Sequence, residues 1–406
     1  MTKHILIAVM CCLLFAFCKK DEVSAPPVVT SVSLLDPAKQ DSTFKETLPG
    51  TLILITGNNL GGIVNIYFNG QTAYFNPTYN TNTHLIVTIP SSAPTEATDP
   101  NVPNNIRIVT THGETSYSFV LTIPPPVIES ISNENALPGD SLIIWGSSLW
   151  LIDKIIFPGG REVTSFNTDD KGYRVGLIMP DLGTDTGRIT IQAKYGTARS
   201  DGPLNDHQSG DVISNFTDAG EPGEQAVFNY QWWSASRVTD PNLFPGTRGG
   251  YLQSIFGGVG ANNSAWWESG RSGNFNEIKT IFDGSIMTKQ ASDYALKFEI
   301  NTKEPWTAGV NLLRLGDKYA FRFMPWASET GGVFDTNDEW RTVTIQLSAF
   351  KATDSGKEGT GANAVVMGDL LKANGVVAFG YRYTTEDKPI DVHNTAYDNF
   401  RIVKIK

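Results

Sequence analysis

Residues 301–326 read NTKEPWTAGVNLLRLGDKYAFRFMPW, and their punctuation is that of a β-hairpin. Apolar residues dominate 309–315 and 319–324, and Gly316-Asp317 supplies the turn between them. Pro305 and Pro325, which cannot donate to a ladder, stop the chain at either end and are each followed by an indole, Trp306 and Trp326. Along the second strand Tyr319, Phe321 and Phe323 alternate with Arg322, so an aromatic face turned to a core sends Arg322 to the opposite face. Two indoles at strand ends and an arginine on the outer face are the features this hairpin presents.

The rest of the composition agrees with an all-β protein. Only 18% of the 406 residues are charged, and short β-branched runs alternate with Gly, Asn, Ser and Thr. The formal charge of −10, with no basic run after the N-terminus, argues against nucleic acid or another anionic polymer as partner. All three cysteines, Cys11, Cys12 and Cys18, fall in the first 18 residues, which excludes a disulfide framework or cysteine metal site further on.

Residues 1–18 have the short polar start and apolar stretch of a signal peptide. Because Cys18 stands where the apolar run ends, the segment resembles a bacterial lipoprotein signal, which implies lipidation at Cys18. Lys19-Lys20-Asp21-Glu22 is similar to the acidic stretch of lipoproteins exported to the Bacteroidetes cell surface. Acyl chains would hold such a protein on a membrane without a transmembrane helix. Residues 19–27, ending in Pro26-Pro27, form an extended tether.

An internal repeat follows. Leu48-Pro49-Gly50, Gly57, Leu60, Ile66, Phe68 and Gly70 return 89 positions later as Leu137-Pro138-Gly139, Gly146, Leu149, Ile155, Phe157 and Gly159. Each copy alternates with period two, and Asn69-Gly70 supplies a two-residue hairpin turn. The copies, 28–123 and 124–203, each read as a small β-sandwich. Their shared pattern resembles the immunoglobulin-like TIG (IPT) domain, which implies architecture rather than activity. Pro124-Pro125-Pro126 between them reads as a stiff joint, so the copies are expected to form a semi-rigid stalk.

Residues 211–406 are too many for a third copy and suit a larger, jelly-roll-like β-sandwich. Strands are expected at 226–228, 250–256, 295–300, 309–315, 319–324, 342–347, 376–383 and 399–405, with one helical turn or two near 365–373. The order of Asn215-Phe216-Thr217-Asp218, Tyr251-Leu252-Gln253-Ser254-Ile255, Ala265-Trp266-Trp267-Glu268, Pro305-Trp306, Arg322-Phe323-Met324-Pro325-Trp326, Trp340-Arg341-Thr342 and Tyr397-Asp398-Asn399-Phe400 is similar to the C-terminal domain of Bacteroidetes surface glycan-binding proteins. These are accessory lipoproteins of starch-utilisation-type transporter pairs. The resemblance implies an outer-membrane, outward-facing, noncatalytic protein that captures a neutral polysaccharide, a β-glucan or other hemicellulose, for the transporter.

The tryptophans point the same way independently: seven of nine lie in the last domain. A pyranose packs its C–H face on an aromatic ring, and its hydroxyls need polar groups at the edge. Three indoles each burying about 100 Å² gain about 7 kcal/mol before association costs of at least about 4 kcal/mol, which leaves weak affinity. Trp267, Trp306, Trp326 and Trp266 are the expected platforms, with Arg322 beside them and Trp340 assigned to the core. Adjacent residues of an extended chain face opposite ways, so Trp232-Trp233 and Trp266-Trp267 should each offer one ring per side. Asn262-Asn263, Asn274 and Asn276 could bond hydroxyls or simply make turns.

Asp218 and Asp398 are candidate ligands of a structural calcium ion; no other cofactor is expected. His4, His84, His112, His207 and His393 lack zinc spacing and are expected at the surface. The acidic run Asp335 to Glu339 lacks a glucanase strand signature, and there is no nucleophile elbow or phosphate loop. A lyase or hydrolase on the same sandwich and an adhesin are the competing readings.

Overall fold

The computed structural model describes residues 25–36, 42–209, 211–218, 221–225, 228, 231, 233–268, 270–275 and 277–406. Cys18, Lys19 to Glu22, Trp232 and Asn276 lie outside the described residues, as do the whole signal segment and most of the tether. The contacts divide the chain into two compact units, 1–124 and 125–406.

The first unit is one small sandwich. Strands Val28–Leu34, Leu52–Asn58, His84–Thr88 and Phe75–Asn80 form one sheet, and Gln71–Ala73, Ile63–Phe68, Asn105–Thr110 and Gly113–Ser118 the other. Alternate residues Ile53 and Ile55, Ile66 and Phe68, Ile106 and Ile108 fill the space between them, as period two requires. Asn69 and Gly70 take φ of 47° and 86°, the left-handed pair of the expected hairpin turn. The second copy repeats the pattern with Val127–Ile131, Ser141–Ser147, Arg174–Ile178 and Asn167–Thr168 against Arg161–Val163, Ile152–Phe157, Thr190–Ala193 and Gly196–Arg199. The repeated glycines now have a cause. At a bulge between the first two strands of each copy, a Cβ on Gly57 or Gly146 would lie 2.0 or 1.9 Å from the carbonyl oxygen of Val28 or Val127.

The large sandwich is antiparallel. Its six-stranded sheet runs Ser236–Val238, Tyr251–Val259, Ile390–Lys404, Tyr294–Thr302 and Arg341–Gln346, with Val212–Ser214 also paired to Ile390–Lys404. Its five-stranded sheet runs Ser272–Asn274, Phe379–Thr384, Val310–Leu315, Tyr319–Phe323 and Lys351–Ala352. Phe298, Phe400, Tyr397, Tyr381 and Leu313 meet in the core between them. The expected helical turn is Met367–Leu370. The closing strand is 15 residues long and begins at Ile390, earlier than its polar start, Asp391 to Thr395, suggested.

The second small sandwich packs against the outer face of the six-stranded sheet, so it belongs to the same unit as the large sandwich. On that face Lys297, Glu299 and Arg401 alternate with the core residues Leu296, Phe298 and Ile402, and all three are buried. Glu134 of the second copy ion-pairs Lys297 and lies 2.8 Å from Arg401, which holds Glu299 at 2.9 Å. Asn135 donates to Glu299 at 3.0 Å, the Glu134 amide donates to Thr342 at 2.7 Å, and the Thr342 amide donates to the Ser132 carbonyl. Burial pushes the Glu134 carboxyl up, but Lys297 and Arg401 hold it below the ordinary carboxylate range. A buried ion cluster adds little net stability, yet breaking it by removing one partner is costly.

Candidate functional site

The outer face of the five-stranded sheet carries the polar residues that period two takes away from the core. The ladder sets Arg382 opposite Leu312 and Leu312 opposite Arg322, while Tyr381, Leu313 and Phe321 face inward. Arg322 therefore points where the hairpin predicted. Residues 353–361 lie over part of this face, with Glu358 2.7 Å from Arg314 and 3.7 Å from Arg382. Arg322 pairs with Glu386 at 2.7 Å and donates to the Glu358 carbonyl at 3.4 Å, and Lys357 also reaches Glu386. Three guanidiniums thus share two carboxylates on a half-buried surface. The hydrogen bond from Lys357, with the charge of Arg322, holds the Glu386 carboxyl below its ordinary range.

The double-tryptophan loop stands beside this network. Asn263 exchanges hydrogen bonds with Thr385, and the Asn262 amide donates to the Glu386 carbonyl at 2.5 Å, which fastens the loop to the end of the sheet. Buried Arg271 is the loop's spine: it donates to Asn263 and to the Ala265 carbonyl and pairs with Glu268 at 2.6 Å. Arg382 stacks 3.9 Å over the Trp266 ring. Trp267 is 53% exposed. The two indoles meet edge to face with centroids 5.8 Å apart, because residues 266–267 form a turn; the opposite-facing geometry expected of an extended pair does not apply. The Gly270 amide donates to the Trp233 carbonyl at 2.9 Å and so brings a third, half-buried tryptophan beside the loop.

Trp326 is half-buried just past the strand Tyr319–Phe323, with its Nε1 donating to the Gly309 carbonyl at 2.9 Å and Lys388 5.7 Å over its ring. Trp306 corrects the expectation. It is 2% exposed and closes the end of the core against Phe323, Phe334, Tyr383 and His393, with Nε1 donating to Ala308. The cause is local: Gly309 at φ 83° turns the chain sharply after Ala308, and the Trp306–Phe334 bridge draws the ring inward. No face of it remains for a ligand. Trp340 is core, as expected, with Nε1 bonded to the Pro245 carbonyl.

Two further expectations change. His393 is not at the surface but buried, 2.9 Å from the Tyr383 hydroxyl, and burial pushes its pKa down to about 3. The calcium candidates do not form a site. Asp218 is 85% exposed and paired with Arg237 at 3.1 Å, whereas burial and then neighbouring Glu299 push the Asp398 carboxyl well up. Among the described residues no three acidic, histidine or cysteine side chains converge as a metal-holding group.

Arg382, Glu358 and Glu386 were not singled out from the sequence, and Trp233 was named only as one of an adjacent pair. For Arg382 a signal existed, since it alternates with Tyr381 and Tyr383 as Arg322 does with Phe321 and Phe323. Glu358 and Glu386 come from loops that only the tertiary fold brings over the sheet.

Residues 207–404 match the family described as the surface glycan-binding protein B xyloglucan binding domain. An IPT/TIG domain-containing protein of Bacteroides ovatus is 25% identical over 480 aligned positions, covering 95% of this chain and 94% of that one. Among solved structures, the surface glycan-binding protein PbSGBP-B from Prevotella bryantii superposes with a TM-score of 0.70 at 21% identity, covering 94% of this chain and 99% of that chain, a likeness of fold. The large sandwich, with its exposed double-tryptophan loop, belongs to the surface glycan-binding protein B family.

Proposed function

We propose that the chain captures a neutral β-glucan of the xyloglucan class at the cell surface and does not cleave it. The observation that carries this reading is the Trp266-Trp267 loop: one indole is exposed, the other is stacked on Arg382, and both stand at the end of a sheet face lined with paired guanidiniums and carboxylates. An indole face suits the C–H face of a pyranose, and the neighbouring Arg322, Arg382 and Glu386 groups suit its hydroxyls. A glycosidase needs a carboxyl poised above its usual pKa near a second one. Glu386 is shifted the other way, which suits a fixed counterion.

Lipidation at Cys18 and delivery to a starch-utilisation-type transporter pair complete the reading. Anchoring of many copies on one outer membrane would raise avidity for a polymer well above single-site affinity. Cys18→Ser should move the protein from the membrane to the soluble fraction.

The deciding experiment is affinity gel electrophoresis of the purified chain in xyloglucan, with reducing ends measured in parallel. Wild type should be retarded and Trp267→Ala should lose roughly ten-fold or more in affinity, consistent with the loss of about 100 Å² of apolar contact. New reducing ends, or no retardation of the wild type, would overturn the reading; full retardation of both Trp266→Ala and Trp267→Ala would remove the double-tryptophan loop as its site.

A further inference from the structure

Among the described residues two tryptophans are exposed, Trp267 and Trp145, and the second is not on the large sandwich at all. Trp145 is 37% exposed on the strand Ser141–Ser147 of the second small sandwich, where it pairs with Arg174 on the neighbouring strand. It opens onto a cleft of about 480 Å³ whose other wall comes from the large sandwich through Pro245 and Arg341. A second depression of about 380 Å³ meets this cleft at Ser141 and Arg174 and is lined by Asn167 and Thr168. In the second depression a Cβ on Gly176 would touch nothing within 4 Å, so the floor of the sheet is open there. Both volumes fall in the ordinary range of small-molecule sites, about 300–1,000 Å³.

We propose that this cleft is a second glycan site, one that takes a neutral oligosaccharide with a sugar ring seated on Trp145. The charge on its walls is nearly balanced. Arg174 and Arg341 make no ion pair among the described residues; Asp140, Asp338 and Glu339 also line the cleft, Asp140 accepting from the Leu137 amide and Asp338 paired to Lys303. Such a lining attracts neither a polyanion nor a polycation; an indole with two guanidiniums outside any ion pair, and carboxylates and hydroxyls nearby, recognises a neutral polyhydroxylated chain.

The walls are fixed before any ligand arrives. The Thr342 amide donates to Ser132 at 2.7 Å, Arg248 donates to the Ala136 carbonyl at 3.0 Å, and Trp340 holds Pro245. Preorganisation of this kind lowers the cost of binding. Two sites in one compact unit would let a single chain grip a polymer twice.

The proposal rests on the reading of the large sandwich only for the ligand class, and its test separates the two. Oligosaccharides of xyloglucan, mixed-linkage glucan and cellulose are titrated into the full chain while the indole Nε1–H signals are followed by NMR, with Trp145 assigned through Trp145→Thr. Threonine is what the first copy carries at the equivalent position, so this variant should fold. A saturable shift of the Trp145 signal with at least one glycan, retained in Trp266→Ala/Trp267→Ala and accompanied by a roughly ten-fold loss of polymer affinity in Trp145→Thr, supports the second site even if the double variant binds as well as wild type. A Trp145 signal unmoved by every glycan overturns it, whether or not the Trp267 signal moves.

Discussion

Where the first small sandwich places Thr56 opposite His84, the second places Trp145 opposite Arg174; where the first has Lys45, the second has Glu134. The positions correspond through the repeat, and the interiors match almost residue for residue, with Ile55, Leu60, Ile66 and Phe68 answered by Ile144, Leu149, Ile155 and Phe157. Duplication therefore kept the core and released the surface. The copy whose surface acquired a buried carboxylate partner packs on the large sandwich in one unit, and the other forms a unit of its own. One fold can thus stand as a unit of its own or pack on the large sandwich, the difference resting on a few outward-facing positions.

The sharpest way to break this comparison is Glu134→Ala. It leaves buried Lys297 without its carboxylate and Arg401 with Glu299 alone, which should cost about 3–5 kcal/mol in the second unit. Lys45→Ala at the exposed equivalent should stay within about 0.5 kcal/mol. All nine tryptophans lie beyond residue 124, so tryptophan emission in denaturant reports the second unit alone, and circular dichroism follows both. Equal losses for the two variants would mean that Glu134 is not what joins the copy to the large sandwich.

Acid should also separate the units. The folded second unit keeps His393 neutral down to about pH 3, whereas the unfolded chain takes up that proton near pH 6.5. Between those values the unfolded state binds more protons, so stability falls as pH falls, by on the order of 3 kcal/mol at pH 4. Glu134, held low in the fold, adds to the loss in the same direction; Asp398, held high, contributes with the opposite sign, its stabilisation present in acid and lost as pH rises through its folded value. Among its described residues the first unit has only the exposed His84 and His112. Thermal melts from pH 7 to pH 4 should show the tryptophan-reported transition moving down, and His393→Gln should flatten that slope. An unchanged slope in the variant would refute the assignment to His393.

Much of this was legible in the sequence, and the reason is local. Period-two alternation placed Arg322 outward and filled both small cores, and Asn69-Gly70 announced its turn. Direction at a strand end is a different matter: whether Trp306 turned in or out depended on the turn at Gly309 and on Phe334, which no alternation rule contains. The ion cluster joining Glu134 to Lys297 and Arg401 spans 163 and 267 positions of sequence and surfaced only when the sheets were stacked. His393 hid for a related reason, since a polar strand beginning at Ile390 looks like loop until its neighbours bury it. The platform stood between these cases: Trp266-Trp267 was visible, but the turn that puts both rings in contact, and the Arg382 stacked on one of them, belong to the fold.

The smallest expected effect tests what the second copy's indole needs around it. Thr56→Trp puts the second copy's residue on the first copy's sheet, at a half-exposed position, and should change the stability of the first unit by less than about 0.5 kcal/mol. It should not add a glycan site. Opposite it stands exposed His84 instead of Arg174, and the second wall of the Trp145 cleft, built from Pro245 and Arg341, belongs to the other unit. The new indole would then remain insensitive to β-glucan oligosaccharides in a background carrying Trp145→Thr and Trp266→Ala/Trp267→Ala. Saturable glycan binding by that variant would show that one exposed indole on this sheet suffices, and that the wall from the large sandwich adds no recognition of its own.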